Sequence, residues 1–314
     1  MNTVTFMRGL SASGKSAIAR EICARTGAAR VNMDDIREML ELPYHRDAEE
    51  FALKIQDAAV LGALAKGLDV VVDNTHLHDK WPRRIATLIW ESGYSVDYRL
   101  VHLDVDQNIC SERNTVRRQN ADARASVAVP EGVIEKQGRN WAKECARPNG
   151  PWTIESITQF LPEIVPVASP EERAARGLPV AVACDLDGTL AEHNGRSPYD
   201  VHLCASDILV PHIADILCAM RHDGHRIIFC SGRSEKYRAL TEQWLADNGM
   251  AIYDELLMRP DGDERRDSII KLELHDKHIR DQYNVLCVLD DRDRVINTWR
   301  NLGYPCLQVA PGDF

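Results

Sequence analysis

The sequence has 314 residues, which is enough for two domains that each bury a core of their own. Hydrophobic residues make up 44% and charged residues 27%, a balance typical of a soluble globular protein rather than a disordered one. The formal net charge of −10 counts against a protein that coats duplex nucleic acid, because such proteins are usually basic. It does not exclude an enzyme that grips a strand end with a few arginines.

The N-terminus and the cysteines favour a cytoplasmic protein. The first residues lack the basic start and apolar stretch of a secretory signal, and no apolar run approaches the roughly 18 residues of a membrane span. The nine cysteines are scattered and never spaced C-x-x-C, which argues against a disulfide framework and against a zinc site. We therefore expect the reducing cytoplasm.

The first half of the chain alternates strand-length apolar runs with segments of helical period, which is typical of an α/β fold with a parallel sheet. The predicted strands are residues 4–7, 31–33, 69–72 and 98–103. The predicted helices are residues 15–26, 48–66, 80–91 and 106–114. Residues 115–128 are polar, rich in arginine and weakly periodic, so we expect a mobile lid there.

Residues 161–179 are interrupted by four prolines and predict a linker, within which residues 170–176 could form a short helix. A second α/β alternation follows, which gives a first domain at 1–160 and a second at 180–314. Its predicted strands are residues 180–184, 226–229, 255–258, 285–289 and 306–309. Its predicted helices are residues 208–223, 236–248, 267–278 and 293–302.

A complete phosphate-binding loop, G-x-x-x-x-G-K-[ST], follows the first predicted strand and opens the first helix. Its nucleotide-binding residues are Gly9, Ser11, Ala12, Ser13, Gly14, Lys15 and Ser16. Glycines let the backbone N–H groups converge on phosphate oxygens, and the helix N-terminus favours negative charge. We expect Lys15 to hold the β- and γ-phosphates of ATP and the Ser16 hydroxyl to bind Mg²⁺.

Polar residues after the next strands indicate a phosphoryl acceptor site. Asp34 could accept the proton of an attacking hydroxyl, and Arg37, one helical turn on, could bind the acceptor's phosphate. The alternative is that Asp34 or Asp35 only caps the helix that follows. Asp73, at a strand end, is a candidate to position magnesium or water, or else a turn former.

Four arginines in or just before the predicted lid, Arg113, Arg117, Arg118 and Arg124, face only two acidic residues. Arg113 and Arg117 are four apart and would project from one face of a helix. They predict either a clamp on the transferred phosphate or a solvated basic face.

The second domain opens with two carboxylates two residues apart at a strand end. We expect Asp185 to attack phosphorus and Asp187 to act as general acid and base. Their charges require a divalent cation, and the pair Asp290-Asp291 after a later strand completes an oxygen-ligand site for Mg²⁺. Ser231 would donate to phosphate, and Lys271 would neutralise charge on the aspartyl-phosphate. Asp267, four residues before Lys271, would pair with that amine.

This order of acid motif, serine, lysine and acid pair resembles haloacid-dehalogenase-type phosphatases, although turns and helix caps are the alternative for each motif. Together with the phosphate loop, it resembles the bacteriophage polynucleotide kinase-phosphatase family over nearly the whole chain. Residues 194–200, 231–233 and 308–314 contribute to this resemblance.

The resemblance implies an ATP-dependent kinase of 5′-hydroxyl ends, with Asp34 as general base, Arg37 on the acceptor's 3′-phosphodiester, and Arg117 on the donor phosphates with Arg113 nearby. It also implies a Mg²⁺-dependent phosphatase of 3′-phosphate or 2′,3′-cyclic phosphate ends of RNA or DNA. That phosphatase would require Arg196 and Arg233 and the carboxylates Asp267, Asp290 and Asp291. A homotetramer, cooperation with a ligase, and the host cytoplasm for a phage protein are further implications.

Two rival functions and one irregular motif stay open. The chain could be a nucleoside or sugar kinase fused to a metabolite phosphatase, or a non-catalytic module that binds strand ends and recruits a ligase. The lid arginines and the intact Lys15 and Asp185 argue against them. Around Asp73-Asn74, where we expect a strand to end, only one of the two side chains should face the site, because adjacent strand residues point to opposite faces.

Overall fold

A computed structural model describes residues 1–41, 46–119, 128–159, 161–197 and 200–312. The chain forms two compact units, Met1–Trp90 with Tyr94–Leu161 and Glu91–Gly93 with Pro162–Phe314. In the described part of the chain, no helix is both long enough and apolar enough to cross a lipid bilayer. The domain boundaries drawn from the sequence stay a prediction.

The first unit contains a four-stranded parallel sheet of order β2-β3-β1-β4. Its strands are β1 Asn2–Arg8, β2 Ala29–Val31, β3 Val70–Val72 and β4 Val96–His102. Its helices are α1 Lys15–Thr26, α2 Met33–Leu40, α3 Arg46–Ala65, α4 Lys80–Glu91, α5 Gln107–Gln119, α6 Val133–Cys145 and α7 Ile154–Thr158. Val4 and Phe6 of the central strand β1 are fully buried in the core. Since all four strands are parallel, their carboxyl ends meet at one edge, where the polar motifs gather.

Helix α2 begins at Met33, which the sequence placed in a strand. The reason is the Asn32 side chain, which accepts hydrogen bonds from the N–H groups of Asp34 and Asp35, both at 2.9 Å. Asn32 therefore caps the helix, and the alternative in which Asp34 or Asp35 does so is wrong.

The predicted lid is partly helical. Helix α5 continues to Gln119, so the predicted helix end at residue 114 is wrong by five residues. Arg113, Arg117 and Arg118 lie on this helix, whereas Arg124 lies outside the described residues. Helices α6 and α7 were not predicted.

The second unit contains a five-stranded parallel sheet of order β11-β10-β5-β8-β9 and a two-stranded antiparallel one, β6-β7. The strands are β5 Val180–Cys184, β6 Ala191–Glu192, β7 Ile208–Leu209, β8 Arg226–Ser234, β9 Glu255–Arg259, β10 Asn284–Asp290 and β11 Cys306–Gln308. The helices are α8 Pro170–Ala175, α9 Pro211–His222, α10 Arg238–Asp247, α11 Asp267–His278 and α12 Asp293–Asn301, with short 3₁₀ segments at Val201–Ser206 and Glu235–Tyr237. Leu186, Leu217 and Phe229 are among the fully buried residues of its core.

Two boundaries in this unit differ from the sequence prediction. The helix predicted from residue 208 begins at Pro211, because Ile208 and Leu209 pair with β6. Strand β8 runs to Ser234, so Ser231 lies inside a strand and not after it. The short helix expected within the linker is present as α8.

Candidate active sites

The phosphate-binding loop connects β1 to α1. Gly9 has φ 150° and Gly14 has φ 101°. Residues other than glycine rarely adopt these backbone conformations. A Cβ on Gly9 would also lie 2.7 Å from the carbonyl oxygen of Leu103. Ala12 adopts the left-handed region at φ 63°, which is strained for a residue with a side chain. These backbone angles explain why the motif has glycine at positions 9 and 14.

Lys15 is buried in this loop, and its Nζ donates to the carbonyl of Leu10 at 2.6 Å. Burial lowers the pKa of Lys15 to about 8, while nearby Asp73 opposes the shift. A cation held in a poorly solvated site is suited to binding phosphate oxygens strongly.

Most of the predicted kinase residues line one cleft of about 220 Å³. Its walls include Ser11, Ala12, Gly14, Lys15, Ser16, Asp34, Asp73, Asn74 and Arg117. Gly9, Ser13 and Arg37 are not part of this wall. Arg113 instead contacts the loop backbone, with its Nη1 3.5 Å from the carbonyl oxygen of Ala12.

Asp34 lies in the first turn of α2 with 57% of its side chain exposed. The surrounding protein desolvates its carboxylate and raises its pKa, although Arg37 at 2.7 Å works against this. Arg37 also binds Glu49 of α3 with two parallel hydrogen bonds, of 2.8 and 2.9 Å. The residue expected to hold the acceptor's phosphate is thus already paired with two carboxylates.

Asp73 and Asn74 both line the cleft, so the expectation that only one of them could face it is wrong. That expectation assumed a strand, but β3 ends at Val72 and strand alternation no longer applies. Sequence reasoning also missed Arg30 of β2, which lines the same cleft and binds Asp73 at 2.6 Å and Asp35. Nothing in the local sequence distinguishes Arg30 from other surface arginines.

In the second unit, three buried carboxylates from two neighbouring strand ends come together. Ligand atoms of Asp185, Asp290 and Asp291 all lie within 4.8 Å of one another. Lys271 of α11 donates to Asp185 and to Asp290, each at 2.8 Å. Burial raises the pKa of Asp185, which Lys271 opposes and the other two carboxylates reinforce.

The donor set fits a magnesium ion. Three clustered carboxylates offer the oxygen ligands that Mg²⁺ prefers, and a single lysine balances only one of their charges. Burial and Asp290 also raise the pKa of Asp291, which is the expected result when carboxylates share a site with too little positive charge.

The Asp187 side chain is not a member of this group, and its expected role as a metal ligand stays a prediction. Its carboxylate accepts hydrogen bonds from Arg196 at 2.7 Å and from Arg233 at 2.7 and 2.8 Å, and it lies 3.1 Å from the His193 ring. Although burial alone would raise the pKa of Asp187, these partners lower it.

Asp207, which the sequence did not single out, organises the two arginines. Its side chain is fully buried and accepts from Arg196 at 2.6 Å twice and from Arg233 at 2.8 Å. The two guanidinium groups are thus held between Asp187 and Asp207. The signal available in the sequence was weak, because Asp207 follows a 3₁₀ segment with no recognisable motif.

The structure also defines the contacts of Ser231 and Asp267, two further predicted residues. The Ser231 hydroxyl is fully buried and accepts from the N–H of Arg233 at 3.2 Å. The prediction that Asp267 pairs with Lys271 is wrong, because its carboxylate binds Arg259 and Arg292 instead. These arginines come from β9 and from the residue before α12, and their forked donors compete better for a carboxylate than an amine four residues away.

Comparison with known proteins finds matches to both halves of the chain. A family model described as the polynucleotide kinase PNKP phosphatase domain matches residues 179–314, and one described as an AAA domain matches residues 4–143. A protein of Autographa californica nuclear polyhedrosis virus, named as a bifunctional polynucleotide kinase/RNA ligase, is 30% identical over 321 residues. The match covers 95% of this chain and 41% of the viral protein, so the chain spans about two fifths of that protein's length.

Two solved structures are also similar. A chain in the structure of the Pnkp1/Rnl/Hen1 RNA repair complex is 30% identical, with 100% of this chain and 97% of that chain covered and a TM-score of 0.46. A second structure of the Pnkp1/Rnl/Hen1 complex matches with the same identity and TM-score and with 98% of its chain covered. The two models match side by side, so this chain joins an AAA domain to a phosphatase domain of the polynucleotide kinase PNKP family.

Proposed function

We propose that this chain is a bifunctional enzyme that heals broken nucleic-acid ends. It transfers the γ-phosphate of ATP to a 5′-hydroxyl and removes a 3′-phosphate or 2′,3′-cyclic phosphate, which leaves ends that a ligase can join. One observation carries the proposal: a single chain holds both a phosphate loop with an acidic residue in the same cleft and a separate buried group of three carboxylates with a lysine.

In the kinase reaction, Lys15 and the loop amides hold the donor phosphates, and Arg117 adds positive charge from α5. Asp34 accepts the proton of the 5′-hydroxyl as that oxygen bonds to the γ-phosphorus and ADP leaves. The raised pKa and partial exposure of Asp34 suit a general base that must reach a polymer end. Although Asp34 is distant from the phosphate-binding loop in sequence, both line the same cleft.

In the phosphatase reaction, Asp185 attacks phosphorus and the ribose 3′-oxygen leaves with a proton from Asp187. Water then hydrolyses the aspartyl-phosphate, and Asp187 takes up the water's proton. In the next turnover, Asp187 donates this proton to the leaving oxygen. The pairing of Asp187 with Arg196 and Arg233 keeps its carboxylate ionised, which is the protonation state in which it can accept the water's proton.

Magnesium, when bound, would neutralise phosphate oxygens in both sites. The Ser16 hydroxyl would hold it in the kinase cleft, and Asp185, Asp290 and Asp291 would hold it in the phosphatase site. Lys271 would keep the nucleophile and one metal ligand in place through its two hydrogen bonds.

The relatives' names suggest RNA ends as substrates and a ligase as partner, and we extend both to this chain. The homotetramer implied by the family is part of the proposal. Nine free cysteines support a reducing cytoplasm as its location.

The proposal is tested with γ-labelled ATP and matched RNA and DNA oligonucleotides that carry a 5′-hydroxyl. We expect label to appear on the 5′ end, and a free nucleoside should be a poor acceptor. Transfer to the nucleoside but not to oligonucleotides would instead favour a small-molecule kinase. The phosphatase half is tested on the same oligonucleotides with a 3′-phosphate.

Asp34→Asn separates binding from transfer. We expect unchanged ATP affinity and loss of transfer, because the amide is nearly isosteric but cannot accept the proton. Unchanged turnover would remove Asp34 from the reaction.

A further inference from the structure

Ser11 of the phosphate-binding loop is hydrogen-bonded to a residue that belongs to no motif. Gln137 of α6 uses both ends of its amide on Ser11. Its Oε1 accepts from the Ser11 backbone N–H at 2.8 Å, and its Nε2 donates to the Ser11 hydroxyl at 3.0 Å. Because a backbone N–H can only donate, this pairing also fixes the orientation of the amide.

The same stretch of loop is packed from two helices. Leu10 and Ala12 form a buried cluster with Cys110 of α5 and Ile134 of α6. Ile134 and Gln137 are three residues apart and therefore lie on neighbouring positions of one helix face. Helix α6 thus contacts the loop through an apolar side chain and, beside it, through two hydrogen bonds.

This part of the loop needs such support. Ala12 adopts φ 63°, and a residue with a side chain keeps that conformation only where its surroundings impose it. Ser11 and Ala12 line the cleft, whereas Gln137 does not. Any effect of Gln137 on a nucleotide must therefore pass through Ser11.

We infer that Gln137 is a positioning residue of the donor site: it locks Ser11 so that the phosphate loop is preformed for a nucleoside triphosphate. The inference rests on the proposed kinase function for its consequence in catalysis, but not for its effect on nucleotide binding. Preformed donors bind an anion without the cost of ordering the loop.

The test compares Gln137→Ala with Asn140→Ala in the full chain. Asn140 is an exposed amide on the same helix, so it controls for changes in α6 itself. Two readouts are taken for each variant: the Kd of a non-hydrolysable ATP analogue, and the KM values for ATP and for a 5′-hydroxyl oligonucleotide. The 3′-phosphatase activity and the thermal unfolding profile report on folding.

For Gln137→Ala we expect the Kd of the analogue and the KM for ATP to rise about tenfold, as the loss of two hydrogen bonds predicts. The KM for the oligonucleotide and the phosphatase activity should stay at the wild-type values. In Asn140→Ala, the Kd of the analogue and both KM values should also equal those of the wild type. Equal nucleotide affinity in Gln137→Ala and Asn140→Ala would overturn the inference.

A second variant guards against misfolding. Ser11→Ala removes only the hydroxyl partner of Gln137, so it should weaken nucleotide binding by itself and have no added effect in a Gln137→Ala background. Fully additive effects would overturn the inference as well. If the wild-type protein binds the analogue but phosphorylates no oligonucleotide, the proposed function fails, while the affinity measurements still decide the role of Gln137.

Discussion

The pair of arginines in the phosphatase site depends on a residue outside every motif, Asp207. We predict that Asp207→Asn disables 3′-phosphate removal and leaves the kinase intact. Asp207 accepts three hydrogen bonds of 2.6 to 2.8 Å from Arg196 and Arg233. The substitution keeps the shape of the side chain but removes the charge that holds both guanidinium groups.

The magnitude follows from the burial of all the partners. Removing one partner of a buried ion pair costs about 3–5 kcal/mol, because the remaining charge stays desolvated. Both arginines keep Asp187 as a second partner, so we expect the lower end, about 3 kcal/mol. In a unit of this size, that corresponds to a fall in Tm of roughly 6–12 °C. Misplaced arginines should lower phosphatase kcat by about 100-fold.

A matched control exists in the same unit. Asp254 also binds two arginines, Arg221 at 2.6 Å and Arg226 at 2.7 Å, but touches no predicted site residue. Phosphate release from a 3′-phosphate oligonucleotide is measured for both Asp→Asn variants below their Tm, beside labelling of a 5′-hydroxyl. Phosphatase activity of Asp207→Asn equal to that of Asp254→Asn would refute the reasoning.

Three further predictions concern buried side chains that can carry a charge. Lys271→Met, measured without divalent ions, should destabilise the second unit by about 3–5 kcal/mol, and the deficit should shrink as pH falls, because the folded variant then takes up protons on its carboxylates. Burial lowers the pKa of His76 to about 4, below its ordinary 6.5. The folded protein is therefore fully stable above pH 6.5 and loses about 3 kcal/mol of stability as pH falls towards 4. In His76→Asn, where asparagine tolerates φ 41°, this acid-induced loss should be absent. Arg173 of α8 donates to the carbonyl of Ala168 at 2.8 Å, and its guanidinium lies 5.0 Å from the centre of the Tyr304 ring. Arg173→Met should lower the free energy of unfolding by about 2–3 kcal/mol and speed proteolysis of residues 161–179.

Calorimetry across pH checks the first two of these, and limited proteolysis followed by mass spectrometry checks the third. If the stability lost in Lys271→Met does not depend on pH, the lysine does not stabilise the ionised form of the carboxylates. Equal acid sensitivity of wild type and His76→Asn would place the titration elsewhere. Unchanged cleavage of Arg173→Met would show that α8 does not depend on this side chain.

Local patterns in the sequence were enough to place the parallel sheets, the phosphate loop and the acid pairs. Strands such as β5 Val180–Cys184 have the length and apolar character of buried parallel strands, and the loop motif sets its own backbone shape. Since β5 and β10 are neighbours in the sheet, their carboxyl ends bring Asp185 close to Asp290 and Asp291.

The sequence could not supply contacts that depend on which distant side chains compete for one partner. Helical spacing predicted Lys271 as the partner of Asp267, but arginines from two distant segments bind Asp267, while Lys271 donates to Asp185. Asp207 and Gln137 have no local signal either, since their roles exist only after the strands and helices have assembled.

The central claim is that two independent phosphoryl-transfer sites occupy one chain, one around Lys15 and one around Asp185. The most direct test measures 5′-labelling and 3′-phosphate release for Lys15→Ala and Asp185→Ala on the same oligonucleotides. We predict that Lys15→Ala loses only the labelling and Asp185→Ala only the phosphate release. Loss of both activities from either substitution, in protein that remains folded, would contradict the account.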